Sequence, residues 1–386
     1  MRSVFVVYVA STFASGFALR IVDPIILPIA ERFAVAPATA ALLSTAYALP
    51  YALAQPFLGP IGDRFGKTRC IQICVAGLAV MLMLATIAPS FGWLLASRVL
   101  AGIFSGGLIP LVLASMGDSI ELEERQVMIG RMLFSIIAGQ MLSSAVSGLA
   151  NAAFGWRSSL LIAGSAATVA AACAWLATPH RAAPPAAAAT PRSFGALYRH
   201  VFDNPKAVWL YAAIVAEGAL IFGLFPFVGQ LLTERAGSSV TAAPGQAGLV
   251  LGAFGIGGLG YALLVRRLIA WLGVRRMCLA GSAAAACGYA ALAAFDIWWL
   301  YALAMLLTGM SYYMLHNSLQ TEATEIAPAA RGSAVALFSC GFFTGQALGP
   351  LLFGGVVHTL GFGPALLGCF VGLIVLGQVV ARKIID

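Results

Sequence analysis

Very few ionisable side chains interrupt the long apolar stretches of this chain, and those few are the places where chemistry can happen. Arg20 and Asp23 stand three residues apart near the N-terminus, Arg98 follows Ser97, Glu217 is isolated in an apolar run, and His316 precedes Asn317 in another. A charge among lipid-compatible residues costs about 2.5–3.5 kcal/mol on insertion scales, so a chain that keeps one has a use for it. Asp23 and Glu217 are the carboxylates that fall well inside such stretches. A carboxylate in apolar surroundings can take up and release a proton near neutral pH, and Arg20 or Arg98 can hold its ionised form. Structural roles fit the same residues. Arg20 and Asp23 are spaced as an i,i+3 helical pair that can reach the headgroups, and Arg98 can extend to the interface. Glu217 can hydrogen-bond a neighbouring helix. His316 reads as a proton relay, a cation site or a satisfied polar residue.

A second group is defined by spacing: Gly59-Pro60-Ile61-Gly62-Asp63-Arg64-Phe65-Gly66-Lys67-Thr68-Arg69. Gly59 permits close helix contact and Gly66 a tight turn. Asp63 at a helix end can pair with cations that face it in one conformation only, which is how a gate works. The plainer reading is a basic loop that sets topology. Tyr47, Tyr51 and Phe225, with Gln140, Asn317 and Gln346, are candidates to line a cavity, whereas Trp93, Trp298 and Trp299 read as interface anchors.

The elements that must position these residues are membrane helices. Of 386 residues, 61% are hydrophobic and 9% charged, against about 25% charged in soluble domains. A soluble chain cannot hide so much apolar surface. Runs of about 20 apolar residues fall at 4–27, 38–60, 71–89, 93–116, 128–150, 157–177, 207–232, 245–266, 276–295, 297–319, 333–356 and 362–381. The first run continues past the length of a cleavable signal, so it is read as a spanning helix. Glu217 then lies roughly 15 Å deep at the usual helical rise. Residues 178–206, rich in Pro, Ala and basic side chains, form a linker with a short amphipathic helix expected at 193–202. With both termini cytoplasmic, nearly every Lys and Arg falls on the inner side. The exceptions are Arg32, Arg157 and Arg235 outside, and Arg20 and Arg98 within helices.

The halves repeat. Gly139-Gln140 and Gly148 recur as Gly345-Gln346 and Gly354, Trp93-Leu94 as Trp299-Leu300, Gly66 as Gly273 and Arg125 as Arg331. Two duplicated six-helix units, 1–177 and 207–386, imply a central cavity near the midplane.

The Gly59–Arg69 segment resembles the loop signature of the major facilitator superfamily, G-x-x-x-D-[RK]-x-G-[RK]-[RK], with Thr68 in the last slot, where a second basic residue after the glycine is usual. Helix count, linker and repeat agree with that resemblance over the whole chain. It implies an all-α membrane fold of twelve helices in two pseudo-symmetric six-helix bundles that rock about a central site. It also implies that Asp118 is the acidic partner of a cytoplasmic charge relay, matched in the second half by Glu322 and Arg331. Gly59, Asp63, Arg64, Gly66, Lys67, Arg69 and Asp118 would then form the cytoplasmic gate. The second-half gate copy lacks its acid, with Ala270 in that slot. Ser97-Arg98 through Gly102 resembles the family's helix-4 motif linked to proton transfer. Helix 5 departs from the antiporter pattern, because Ser143-Ser144 replaces Gly-Pro, which appears instead at Gly349-Pro350.

The resemblance is to the twelve-helix drug:proton antiporter group. It implies a monomeric, proton-coupled carrier of a small amphipathic compound in a bacterial inner membrane, in contact with lipid. The proton would be coupled through Asp23, Glu217, Arg98, Arg20 and His316. Uptake or facilitated diffusion of a metabolite by the same fold is the alternative. No P-loop, nucleophile elbow or metalloprotease motif is present, which argues against ATP-driven or enzymatic chemistry. No cofactor, metal or nucleic acid is expected. The seven cysteines, at 70, 74, 173, 278, 287, 340 and 369, read as small buried hydrophobes.

Overall fold

The computed structural model describes residues 2–119, 122–177, 201–327 and 331–385, and among these residues there is no strand. α1 (Arg2–Arg20) ends at a turn and a short 3-10 segment, Asp23–Ile25, before α2 (Ile26–Phe33) resumes. The expected single helix is broken here because Pro24 has no N–H and its ring crowds the carbonyl of Arg20. α3 (Pro37–Phe65) stops at Gly66, whose φ of 91° and ψ of 122° turn the chain directly into α4 (Lys67–Thr86). α5 (Phe91–Gly106) is capped by the Ser90 hydroxyl, which accepts from the Trp93 N–H, and α6 (Leu108–Ser119) follows after Gly107. α7 (Leu122–Phe154) and α8 (Trp156–Ala177) complete the first half.

The second half repeats this plan. α9 (Lys206–Phe222) breaks at a 3-10 segment, Phe225–Phe227, around Pro226, and α10 (Val228–Glu234) continues it. α11 (Ala243–Ala294) is followed by α12 (Trp298–Glu325), α13 (Arg331–Leu360) and α14 (Phe362–Lys383). The separate helices expected at 245–266 and 276–295 are both present in α11, as two helices that meet at a kink. Gly273, at φ 69° and ψ 163°, turns the chain in one residue, so no loop intervenes. Gly66 does the same at the matching point of the first half. The amphipathic helix expected at 193–202 lies outside the described residues except for its last two positions, which are helical.

Eight helical stretches among the described residues are long and apolar enough to cross a membrane, and one of them, Ala243–Ala294, comprises two helices that meet at Gly273. α3, α7 and α12, at 29, 33 and 28 residues, are long enough as well, since about 20 residues span the hydrocarbon core. Their surfaces suit lipid: Leu176, Leu263, Trp271 and Phe154 are more than four-fifths exposed.

Small residues set the helix crossings. A Cβ on Gly16 would strike the Ile136 carbonyl, and one on Gly139 the Phe13 carbonyl, so α1 and α7 touch backbone to backbone. The same crossing recurs between α9 and α13, where Gly218 faces the Phe342 carbonyl and Gly345 the Val215 carbonyl. Gly102 of α5 against the Tyr47 carbonyl of α3 is likewise answered by Gly309 of α12 against the Phe254 carbonyl of α11. Without a hydrophobic drive between helices in lipid, such close approach is a main source of association. The halves meet where α3 packs on α13 and α7 packs on the first part of α11. At the second contact a Cβ on Gly148 would come 2.9 Å from the Cα of Gly248.

Candidate functional site: two buried ionic clusters joined by aromatic rings

The break at Pro24 places Arg20 and Asp23 on one turn, inside the protein. Their side chains are 8% and 0% exposed, so the pair does not reach the surface. Arg20 Nη1 lies 3.3 Å from Asp23 Oδ2, and the Ser44 hydroxyl of α3 donates to Asp23 Oδ1 at 2.6 Å. The other arm of the guanidinium crosses to the second half: Arg20 Nη2 donates to Gln346 Oε1 of α13. The Phe222 and Phe225 rings cover the same guanidinium, with centroids 4.1 Å and 5.2 Å from Cζ. A buried cation must be compensated from several sides. Here one carboxylate, one amide and two ring faces do this.

Arg98 is placed differently. It is fully buried on α5, with its guanidinium 4.2 Å from the centroid of the Tyr47 ring. Its N–H groups donate to the carbonyls of Ala18 (2.9 Å), Leu43 (3.3 Å) and Leu19 (3.4 Å). Among the described residues no carboxylate lies within ion-pair distance of it, and Arg20, not Arg98, holds Asp23. Arg98 therefore serves the carbonyls near the end of α1. α7 serves the same helix and the turn after it: Ser143 donates to the Phe17 carbonyl and Ser147 to the Ile21 carbonyl, each at 2.5 Å. Ser143, one of the pair replacing Gly-Pro, thus bonds the backbone of α1.

The second cluster lies within the second half. Glu217 of α9 is fully buried, and its Oε2 is 2.7 Å from His316 Nδ1 of α12. The imidazole packs among Phe342 (4.6 Å), Tyr312 (4.9 Å) and Phe338 (5.4 Å), measured between ring centroids. The other carboxyl oxygen, Glu217 Oε1, has no hydrogen-bond partner. An unsatisfied buried acceptor costs about 1–3 kcal/mol.

Three rings connect the clusters. Phe222, which covers Arg20, packs against Tyr312 at 5.3 Å and Phe342 at 5.7 Å, and these two flank His316. Among the cavity candidates, Gln346 and Phe225 meet Arg20. Tyr47 stacks on Tyr51 at 6.0 Å, and Tyr51 meets Phe343 of α13 at 4.3 Å. Both tyrosines are buried in this packing. Asn317 donates to the Tyr261 hydroxyl at 2.8 Å, and Gln140 is half-buried on α7. Of the gate candidates, Gly66 forms the turn, Arg64 and Arg69 are exposed and Lys67 is half-buried. The side chains of Asp63 and Asp118 and the surroundings of Gly59 lie outside the described residues, as does the Arg331 side chain. No group of three or more His, Cys, Asp or Glu among the described residues is arranged to hold a metal ion.

Sequence reasoning missed Ser44, Phe222 and Ser147, and it read Ser143 only as a departure from the antiporter pattern. The signal for Phe222 was the repeat itself. Arg20-Ile21-Val22-Asp23-Pro24 answers Phe222-Gly223-Leu224-Phe225-Pro226, so the charged pair of one half stacks on its aromatic counterpart in the other.

A bundle of long apolar helices with ionisable side chains enclosed among them fits an integral membrane protein. The chain belongs to the Major Facilitator Superfamily, whose family model matches residues 8–350. It is 24% identical over 342 residues to an uncharacterised MFS-type transporter, YceJ, of Bacillus subtilis (strain 168), covering 89% of this chain and 86% of that one. Its fold is similar to the crystal structure of the nucleoside transporter NupG, with a TM-score of 0.78, 15% identity and 98% of each chain covered. It is also similar to that of a D-xylose-proton symporter, with a TM-score of 0.75, 14% identity, and 99% of this chain and 97% of the other covered. The protein is a membrane transporter, and its family needs no cofactor and is not enzymatic.

Proposed function

We propose that this transporter moves a small amphipathic compound, drug-like or metabolic, outward in exchange for protons by alternating access. In this reading twelve spans form two lobes, 1–177 and 207–386, joined by a cytoplasmic linker at 178–206. Both termini face the cytoplasm of a bacterial inner membrane, the chain works as a monomer, and lipid surrounds it. Helix lengths and the duplicated glycine crossings support the two-lobe division.

The observation that carries the reading is Arg20. It is bonded at once to Asp23 in its own half and to Gln346 in the other. Protonation of Asp23 removes the counter-charge of Arg20 and changes how strongly the halves are held. A proton and a lobe movement are thereby linked through one side chain. Glu217 with His316 is a second protonation candidate, and Arg98 tunes the first cluster by fixing the end of α1. The gate would be formed by Gly59, Asp63, Arg64, Gly66, Lys67, Arg69 and Asp118. Tyr47, Tyr51, Gln140, Phe225, Asn317 and Gln346 would face the substrate when the lobes part.

The test uses proteoliposomes loaded with a pH-sensitive dye. Substrate addition should move protons, and Asp23→Asn or Glu217→Gln should abolish that movement. Coupling that persists in both variants refutes the assignment. The second reading is uptake with the same residues. It is favoured by Ser143-Ser144 standing where antiporters of the family usually carry Gly-Pro, and by the fold similarity to a symporter. Substrate accumulating inside cells in dependence on this protein would select it.

A further inference from the structure

The repeat makes Glu217 an anomaly. The residue before Gly218 at the α9–α13 crossing answers Ser15, before Gly16 at the α1–α7 crossing. Ser15 is fully satisfied: its hydroxyl meets that of Ser105 at 2.7 Å, and its carbonyl accepts from the Tyr47 hydroxyl at 3.3 Å. The second half puts a carboxyl at this point and gives a partner to only one of its oxygens. Among the described residues three buried side-chain polar atoms lack partners: Ser11 Oγ, the Tyr301 hydroxyl and Glu217 Oε1. A hydroxyl can rotate towards another acceptor or donate within its own helix. In the ionised form of Glu217, with Oε2 held by His316, Oε1 is an acceptor, and only a donor can satisfy it.

We infer that Glu217 Oε1 is the anchoring point for the transported compound, which presents to it an N–H or O–H donor carried on a flat apolar body. Donor chemistry follows from the orphan atom, because a second carboxylate or carbonyl brought to Oε1 would meet a like dipole. The flat body follows from the neighbouring rings of Phe222, Tyr312 and Phe342, whose mutual centroid distances are 5.3 to 6.2 Å. Such rings offer apolar faces with a negative quadrupole, which also favour a protonated amine. Access is from the side of His316, which keeps 13% of its side-chain surface exposed while Glu217 keeps none. This inference rests on the transport reading above and specifies the recognition chemistry of the same site.

The test is equilibrium binding to the purified full-length protein in nanodiscs without a pH gradient, by calorimetry. Two probes share one body: phenethylamine, which has a donor, and 3-phenylpropionate, which has none at neutral pH. Phenethylamine should bind at least tenfold more tightly than 3-phenylpropionate. Glu217→Met, which removes the acceptor, should abolish that preference. Glu217→Gln keeps an acceptor and the side-chain shape, so it should retain part of the preference even where the Met variant folds poorly. Equal affinity for the two probes, binding of neither at millimolar concentration, or an undiminished preference in the folded Met variant overturns the inference. Binding as expected with no proton movement in liposomes would instead refute the coupling reading and leave this one standing.

Discussion

Replacing Gln346 with Leu isolates the one charge-assisted hydrogen bond that joins the two halves through Arg20. Leucine fills a similar volume but cannot accept. Arg20 keeps Asp23 at 3.3 Å and the Phe222 and Phe225 rings at 4.1 and 5.2 Å, so the guanidinium is weakened in its closed setting and not stranded. Hydrogen bonds to charged groups contribute about 1.5–3 kcal/mol, and the remaining partners argue for the lower end. Because about 1.4 kcal/mol is tenfold, the equilibrium between packed and separated halves should shift about tenfold towards separation. The other contacts across this seam are unaffected: Thr45 donating to the Ala347 carbonyl at 2.7 Å, and Tyr51 against Phe343. The protein should therefore stay folded. α3 and α13 run antiparallel here, so Ala36 and Leu360, both exposed, mark one end of the seam. Spin labels at these positions, with Cys173, Cys287 and Cys340 replaced by serine, would report the separation by double electron–electron resonance. The long-distance population should grow in the Leu variant. A distribution changed by less than twofold would refute the claim that Arg20 couples the halves.

Two substitutions test the backbone devices that place the site. Gly102→Ala puts a Cβ against the Tyr47 carbonyl, a backbone atom with nowhere to go. It should lower stability by about 1–3 kcal/mol, read as a fall in unfolding temperature. Gly66→Ala meets nothing within 4 Å and suffers only from its φ of 91°. Its loss should be about 1–2 kcal/mol, so in the same measurement it should fall short of the loss at Gly102 or at most equal it.

Much of the architecture was legible in the chain because a bilayer imposes simple rules. A span must be helical and apolar for a known length, so most helix positions follow from composition. Gly66 was read as a tight turn, and its counterpart Gly273 was already matched to it by the repeat. Helix interruptions were less legible, since Pro24 and Pro226 break helices that hydropathy alone reads as continuous. The ionisable residues were found by their rarity, and Arg20 and Asp23 were paired by their helical spacing.

Partners distant in sequence were another matter. The chain alone determined that it must live in a membrane, that its halves repeat, and which few charges are enclosed by apolar helices. Those properties are carried by each residue type and its local spacing, and they survive any packing of the helices. Only the tertiary structure decided that His316 meets Glu217 across 99 positions and Gln346 meets Arg20 across 326. It alone gave Arg98 to backbone carbonyls and left one oxygen of Glu217 without a donor. The physical reason is geometric: a hydrogen bond is decided within tenths of an ångström, and that precision comes from how closely neighbouring helices approach. In this protein the approach is set by glycines that act in pairs on different helices.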